Sequence, residues 1–145
     1  MKVQIIAIGV LKNSPEKDLF EQYAKRLTYK LKVIEIDSRQ DIQPSASAYL
    51  KVMSDKDIII TLDENGESLS SRSFARKLES FSNTGKTINF IIGGADGIPK
   101  EIKDLAALSL SFGKLTWPHL LVRSLLVEQL YRIQQIMCNH PYHRD

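Results

Sequence analysis

Thr87-Ile88-Asn89-Phe90-Ile91-Ile92-Gly93-Gly94-Ala95-Asp96-Gly97 is the stretch from which the fold can be read. Its first six residues form a short apolar run rich in β-branched and aromatic side chains, bounded by glycines, which reads as a buried strand. The strand runs straight into Gly93, Gly94 and Gly97, where the backbone can take positive φ and approach another group closely. Working outward, strands alternate with helices.

Upstream, residues 57–62 read as a strand and residues 63–67 as its turn. Ser70 or Ser71 caps a helix that buries Phe74, Leu78 and Phe81 and ends at Asn83-Thr84-Gly85. Nearer the start, residues 3–10 form the first predicted strand. Ser14-Pro15-Glu16 then opens a helix with an N-cap, a proline at its first position and an acid in the first turn. That helix carries Leu19, Phe20, Tyr23, Ala24 and Leu27 on one face. Residues 31–36 alternate in part, as a strand with one less buried face does. A polar loop (38–46) and a short helix (46–53) follow. Downstream come a helix over 99–108, a strand over 108–112 and a long helix over 118–138. Strands alternating with helices imply an α/β fold, a mostly parallel sheet with helices on both faces. No repeat or linker divides it, so residues 1–145 are expected to form a single domain.

Composition narrows the function classes. The chain has 43% hydrophobic and 26% charged residues, ordinary for a globular protein. One cysteine, Cys138, cannot form an internal disulfide, so a cytoplasmic setting is expected and the thiol is expected to be buried. The first nine residues are too few for a secretory apolar segment. Arg123 and Glu128 interrupt the longest apolar run, which argues against a membrane partner. A net charge of +3, with the charges interspersed, permits an anionic partner without demanding one.

The last predicted helix is apolar over much more than the stripe of about 100° that a surface helix needs. Pairing with its twin in a symmetric homodimer would cover the excess; a helix sunk centrally within one subunit is the alternative.

Three segments follow predicted strands: Leu62-Asp63, Gly93-Gly94, and 112–117. The carboxyl ends of parallel strands line a common crevice in which ligands bind. Gly-Gly-x-x-Gly matches neither the dinucleotide fingerprint nor a phosphate loop, since no Lys-Ser/Thr follows. Phe112-Gly113-Lys114-Leu115-Thr116-Trp117-Pro118-His119 mixes apolar walls with main-chain donors and suits a flat ligand such as adenine. An ordinary strand-to-helix link explains part of that composition. The tail, Asn139-His140-Pro141-Tyr142-His143-Arg144-Asp145, concentrates imidazole, phenol and guanidinium. His140-x-x-His143 lacks the further ligands a metal site needs, so no metal is expected. His119 and Arg123, four apart, share a helix face. Arg144, Lys114 and Arg123 are candidates to pair with phosphate or nucleobase oxygens. Glu128 and Arg132 read as an ion pair.

In order along the whole chain, Ile60-Thr61-Leu62-Asp63, 91–97, 110–119 and 139–144 resemble the RlmH family. These are small ribosomal RNA methyltransferases of the SPOUT superfamily. Thr116-x-Pro118-His119-x-x-x-Arg123 and Pro141-Tyr142-His143-Arg144 are the specific strings. Residues 38–56 look shorter than in many members. The resemblance implies a C-terminal trefoil knot, an S-adenosyl-L-methionine cofactor and a homodimer. Leu62, Gly93, Phe112, Gly113, Lys114, Leu115, Thr116 and Trp117 would line the cofactor pocket. It further implies methylation at N3 of a pseudouridine in 23S ribosomal RNA, in the helix 69 loop of the assembled ribosome; DNA is not an expected partner. On that footing Tyr142, His143 and Arg144 are the candidate catalytic residues. Arg144 and His143 would stabilise negative charge on the base, Tyr142 would stack on or position it, and His143 would serve as general base. The tail would complete the partner's pocket. Two rival readings are a non-catalytic ribosome- or RNA-binding module and a domain that binds an adenosine ligand without methyl transfer.

Overall fold

The computed structural model describes residues 1–37 and 44–144, so most of the loop read over 38–46 lies outside the described residues. The elements run β1 (Lys2–Ile8), α1 (Pro15–Ala24), β2 (Leu31–Ile36), α2 (Ala46–Leu50), β3 (Ile58–Ser68), α3 (Ser71–Ser82), β4 (Thr87–Ile92), α4 (Lys100–Asp104), β5 (Leu108–Ser111) and α5 (His119–Met137). The five strands form one sheet in the order β2-β1-β4-β3-β5, every neighbouring pair parallel. The expected α/β architecture is present, with the sheet wholly rather than mostly parallel.

Strand alternation sorts the core into two layers. Ile5, Ala7, Ile60, Phe90 and Leu110 pack against α1, α3 and α5 on one face. Ile6, Ile8, Ile59 and Ile91 pack against Tyr49 of α2 and Ile102 of α4 on the other. Helix starts follow the sequence closely. Ser14 Oγ accepts from Lys17 N at 3.2 Å, with Pro15 opening α1. Ser70 Oγ accepts from Ser73 N at 3.1 Å ahead of α3. Gly85 follows that helix at φ +72°. β2 lies at the sheet edge with alternating exposure, as its pattern implied.

Several boundaries differ, each for a local reason. β1 stops at Ile8 because Gly9, at φ +81°, turns the chain outward and leaves Val10 exposed. α4 is shorter than residues 99–108 because Ala107 N joins the sheet, donating to Ile59 O at 2.8 Å. α2 ends at Leu50 rather than 53, and β5 at Ser111. The expected turn at 63–67 is an excursion within β3, so that Leu62 and Glu67 both register with Leu110. Gly66 closes that excursion against β5, where a Cβ would stand 2.7 Å from the Ser109 backbone. Cys138 is exposed, not buried, because it caps a last helical turn that extends past the core.

α5 occupies the middle of its layer. Ser124 Oγ donates to Glu16 O of α1 at 2.7 Å, and Ser71 Oγ of α3 donates to Gln129 Oε1 at 2.7 Å. Gln134 Oε1 accepts from Thr28 N at 2.8 Å while its Nε2 donates to Arg26 O at 3.2 Å. Leu126, Val127, Leu130 and Ile133 are fully buried between these neighbours. Central packing within one subunit therefore accounts for most of the helix's apolar girth. Leu121 and Leu125 stay half-buried and Met137 exposed. Among the described residues, no helix is long and apolar enough to cross a membrane.

Candidate active site

Leu62, where β3 begins its excursion, stands beside Ile92 at the end of β4 and Leu110 next to the end of β5, since it registers with both. A cleft of about 400 Å³ opens above them. That volume lies within the range of about 300–1,000 Å³ typical of small-molecule sites. One wall is the glycine turn after β4. Gly97 N donates to Gly94 O at 3.0 Å, Gly97 sits at φ +77°, and a Cβ on Gly93 would lie 2.7 Å from the Gly97 backbone. The turn is this tight only because no side chain intervenes.

The opposite wall is the segment after β5. Gly113, at φ +105°, redirects the chain. Ser111 Oγ accepts from Gly113 N at 3.1 Å and lies 2.8 Å from Gly113 O. Thr116 Oγ1 donates to Glu64 Oε2 at 2.8 Å, and Trp117 Nε1 donates to Phe112 O at 3.3 Å. The Thr116 bond straps the 112–117 segment to the β3 excursion, and the Trp117 bond closes the segment on itself. The floor and rim mix Leu62, Ile92, Leu115 and Val122 with Asp63, Glu64, Asp96, Lys103 and His119.

Three carboxylates against one lysine give the cleft an acidic balance. Asp63 Oδ2 lies 2.6 Å from Lys103 Nζ. That hydrogen bond, with the Asn65 backbone N–H, holds the Asp63 carboxyl below its ordinary range. Burial, and then the neighbouring Arg123 guanidinium, push the His119 imidazole below its ordinary value, which favours the neutral ring.

Leu62, Gly93, Phe112, Gly113, Leu115, Thr116 and Trp117 come together around this cleft, while Lys114 is exposed and is not among its lining residues. Arg123 corrects an expectation. It is committed inside the protein and does not line the cleft: its guanidinium is 1% exposed, Nη2 donates to Ile8 O and Gly9 O at 2.7 Å each, and Nη1 pairs with Glu35 Oε1 at 3.2 Å. It clasps the start of α5 to the ends of β1 and β2. The charged lining residues Glu64, Asp96 and Lys103 carried no signal in the sequence. Their roles depend on how the β3 excursion and α4 fold back over the strand ends.

The tail lies elsewhere in the subunit. Asn139 takes φ +54° and His140 N donates to Gln135 O at 2.9 Å, which ends α5 and folds the chain back along it. Tyr142 OH donates to Glu128 Oε1 at 3.1 Å, and its ring meets Tyr131 edge-on with centroids 4.8 Å apart. The Arg132 guanidinium lies 4.9 Å from the Tyr142 ring centroid, and its Nη1 is 3.4 Å from His143 Nδ1. Arg144 is exposed. A second hollow of about 390 Å³ shares Leu110, Phe112, Gly113 and Trp117 with the cleft and reaches Glu128, the partner of Tyr142. Within one subunit the tail residues and the cleft residues are thus not brought together.

Against known proteins, the family profile described as "Predicted SPOUT methyltransferase" matches residues 1–143. The chain is 45% identical to the ribosomal RNA large subunit methyltransferase H of Rhodopseudomonas palustris, over 99% of each chain. It is 40% identical to the protein of that name from Rhodospirillum centenum, again over 99% of both. A solved structure, a probable methylase family protein from Haemophilus influenzae, superposes with a TM-score of 0.62 at 10% identity, covering 99% of this chain and 70% of that one. At that identity the superposition speaks for the fold alone.

Proposed function

The chain belongs to the SPOUT methyltransferase family, and on that premise we propose that it is a ribosomal RNA large-subunit methyltransferase that uses S-adenosyl-L-methionine. The observation that carries the cofactor assignment is the chemistry of the strand-end cleft. Leu62, Ile92, Val122 and Leu115 offer apolar surface for a purine, the Gly93–Gly97 turn offers close backbone approach, and Asp63, Glu64 and Asp96 favour a cationic ligand. These residues fit a ligand that joins a flat base to a positively charged end. When bound, the cofactor supplies an electrophilic methyl group carried on a sulfonium.

The finer reading is methylation at N3 of a pseudouridine in an exposed hairpin loop of the assembled ribosome. N3 is an imide nitrogen between two carbonyls, and its proton leaves as the nitrogen–carbon bond forms. Negative charge then develops on the carbonyl oxygens, where Arg144 and His143 stabilise it. Holding the base in line with the methyl is the protein's other task, shared by the tail and the rim at Leu115 and Trp117. In this reading residues 1–145 act as one domain, knotted toward the C-terminus. The enzyme is a homodimer, so a tail that lies away from its own cleft acts at its partner's.

The test is a truncation before Asn139. The expected result is unchanged affinity for S-adenosylhomocysteine with methylation of ribosomes lost. Full activity would remove the tail from the reaction. Mass analysis of ribosomal RNA from cells with and without the protein checks the target base, and no difference would leave a non-catalytic ribosome-binding module.

A further inference from the structure

The tail is built into a network whose chemistry constrains one of its residues. The Glu128 carboxylate is its hub. Oε1 accepts from Arg132 Nε at 3.0 Å, from Arg132 Nη2 at 2.6 Å and from Tyr142 OH at 3.1 Å. Oε2 accepts from Gln129 Nε2 at 2.7 Å, and Gln129 Oε1 in turn accepts from Ser71 Oγ at 2.7 Å. Two nitrogens of Arg132 are thereby fixed on Glu128, with its plane beside the Tyr142 ring, and the remaining Nη1 points to His143. Tyr23 of α1 and Arg26, just beyond that helix, flank Tyr131, with Arg26 at 5.8 Å from the Tyr131 ring centroid.

A guanidinium carries N–H donors and no acceptor. The imidazole nitrogen that faces it at 3.4 Å must therefore be the one without a proton. The neutral ring then carries its hydrogen on Nε2. Nδ1 is thereby occupied by the guanidinium, and Nε2–H is a donor.

We propose that Glu128 and Arg132 are positioning residues that lock the tail through Tyr142 and hold His143 in the Nε2–H form. In that form His143 donates a hydrogen bond to an imide carbonyl of the acceptor base instead of removing its proton. This rests on the tail's role given under Proposed function. It replaces the general-base role the sequence suggested for His143. It also makes Tyr142 an anchor for the tail, with its phenol committed to Glu128. The N3 proton passes to solvent water, and His143 has the same protonation state before and after the transfer.

Glutamine tests the proposal, because its amide NH₂ stands where Nε2–H does and cannot act as a base. Steady-state methylation of ribosomes from cells lacking the protein is compared for wild type, His143→Ala and His143→Gln. Loss of one such donor lowers kcat by about 10²–10³ in the alanine variant, while the glutamine variant stays within about tenfold of wild type. Arg132→Met lowers kcat with the Kd for S-adenosylhomocysteine unchanged, and Arg132→Lys recovers part of the loss. Nitrogen-15 ring spectra of the full-length protein, with His143 assigned by its absence from His143→Gln, read the tautomer independently of activity. A proton on Nδ1, or a glutamine variant as inactive as the alanine one, overturns the proposal. Wild-type protein that binds S-adenosylhomocysteine yet methylates no ribosome overturns the functional reading, and the donor role with it, whatever the ring spectrum shows.

Discussion

Arg123→Met is the most informative single perturbation of the fold. The guanidinium is 1% exposed and makes two hydrogen bonds of 2.7 Å to the carbonyls of Ile8 and Gly9. Hydrogen bonds from a charged donor contribute about 1.5–3 kcal/mol each. The third contact, to Glu35, is a lesser one because that carboxylate is 28% exposed, and a solvated partner adds at most about 1 kcal/mol. Methionine is of comparable length and offsets some of the loss by burying its side chain without a desolvated charge, a gain of about 1.5–3 kcal/mol. The net destabilisation is about 3 kcal/mol, most of it from two carbonyls left without donors. With a urea m value of about 2 kcal/mol/M, the unfolding midpoint falls by about 1.5 M. Glu35→Gln, the control, shifts it by less than about 0.5 M, in keeping with a partly solvated pair. Equilibrium unfolding followed by circular dichroism measures both. An Arg123→Met midpoint within about 0.5 M of wild type, at unchanged m, would show that the clasp contributes little.

Two further outcomes follow from the cleft. Gly93→Ala drives a Cβ to within 2.7 Å of the Gly97 backbone. The glycine turn must then open, and calorimetry should show S-adenosylhomocysteine affinity reduced more than tenfold, a loss above about 1.4 kcal/mol; unchanged affinity would place the ligand elsewhere. His119, held below its ordinary pKa by burial and by Arg123, binds a proton less readily folded than unfolded. Its contribution to stability is therefore full above about pH 6.5 and declines as pH falls toward the folded-state value. His119→Gln should narrow the gap between urea midpoints measured at pH 7.5 and pH 5.5, and an unaltered gap would assign that pH dependence to other groups.

The α/β architecture and most helix starts were legible because they rest on local rules. Residues 87–92 are a short, β-branched apolar run flanked by glycines, which favours a buried strand over a helix, and Ser14-Pro15 and Ser70 supply acceptors for free helix-end donors. The convergence of Leu62, Gly93 and the 112–117 segment was equally readable, because parallel strands deliver their carboxyl ends to one edge. What local pattern could not carry depends on distant partners. Whether Arg123 meets a ligand or the protein's own carbonyls and Glu35 was decided by where β1 ends beneath α5. The apolar girth of α5 is matched mainly by α1 and α3, which the helix's own sequence does not contain. The excursion at 63–66 depends on Gly66 meeting Ser109, a contact between strands far apart in the chain. His143 shows the division most clearly. Its presence in a polar tail was evident from the sequence, but which ring nitrogen bears the proton follows from a guanidinium eleven residues earlier that Glu128 turns toward it.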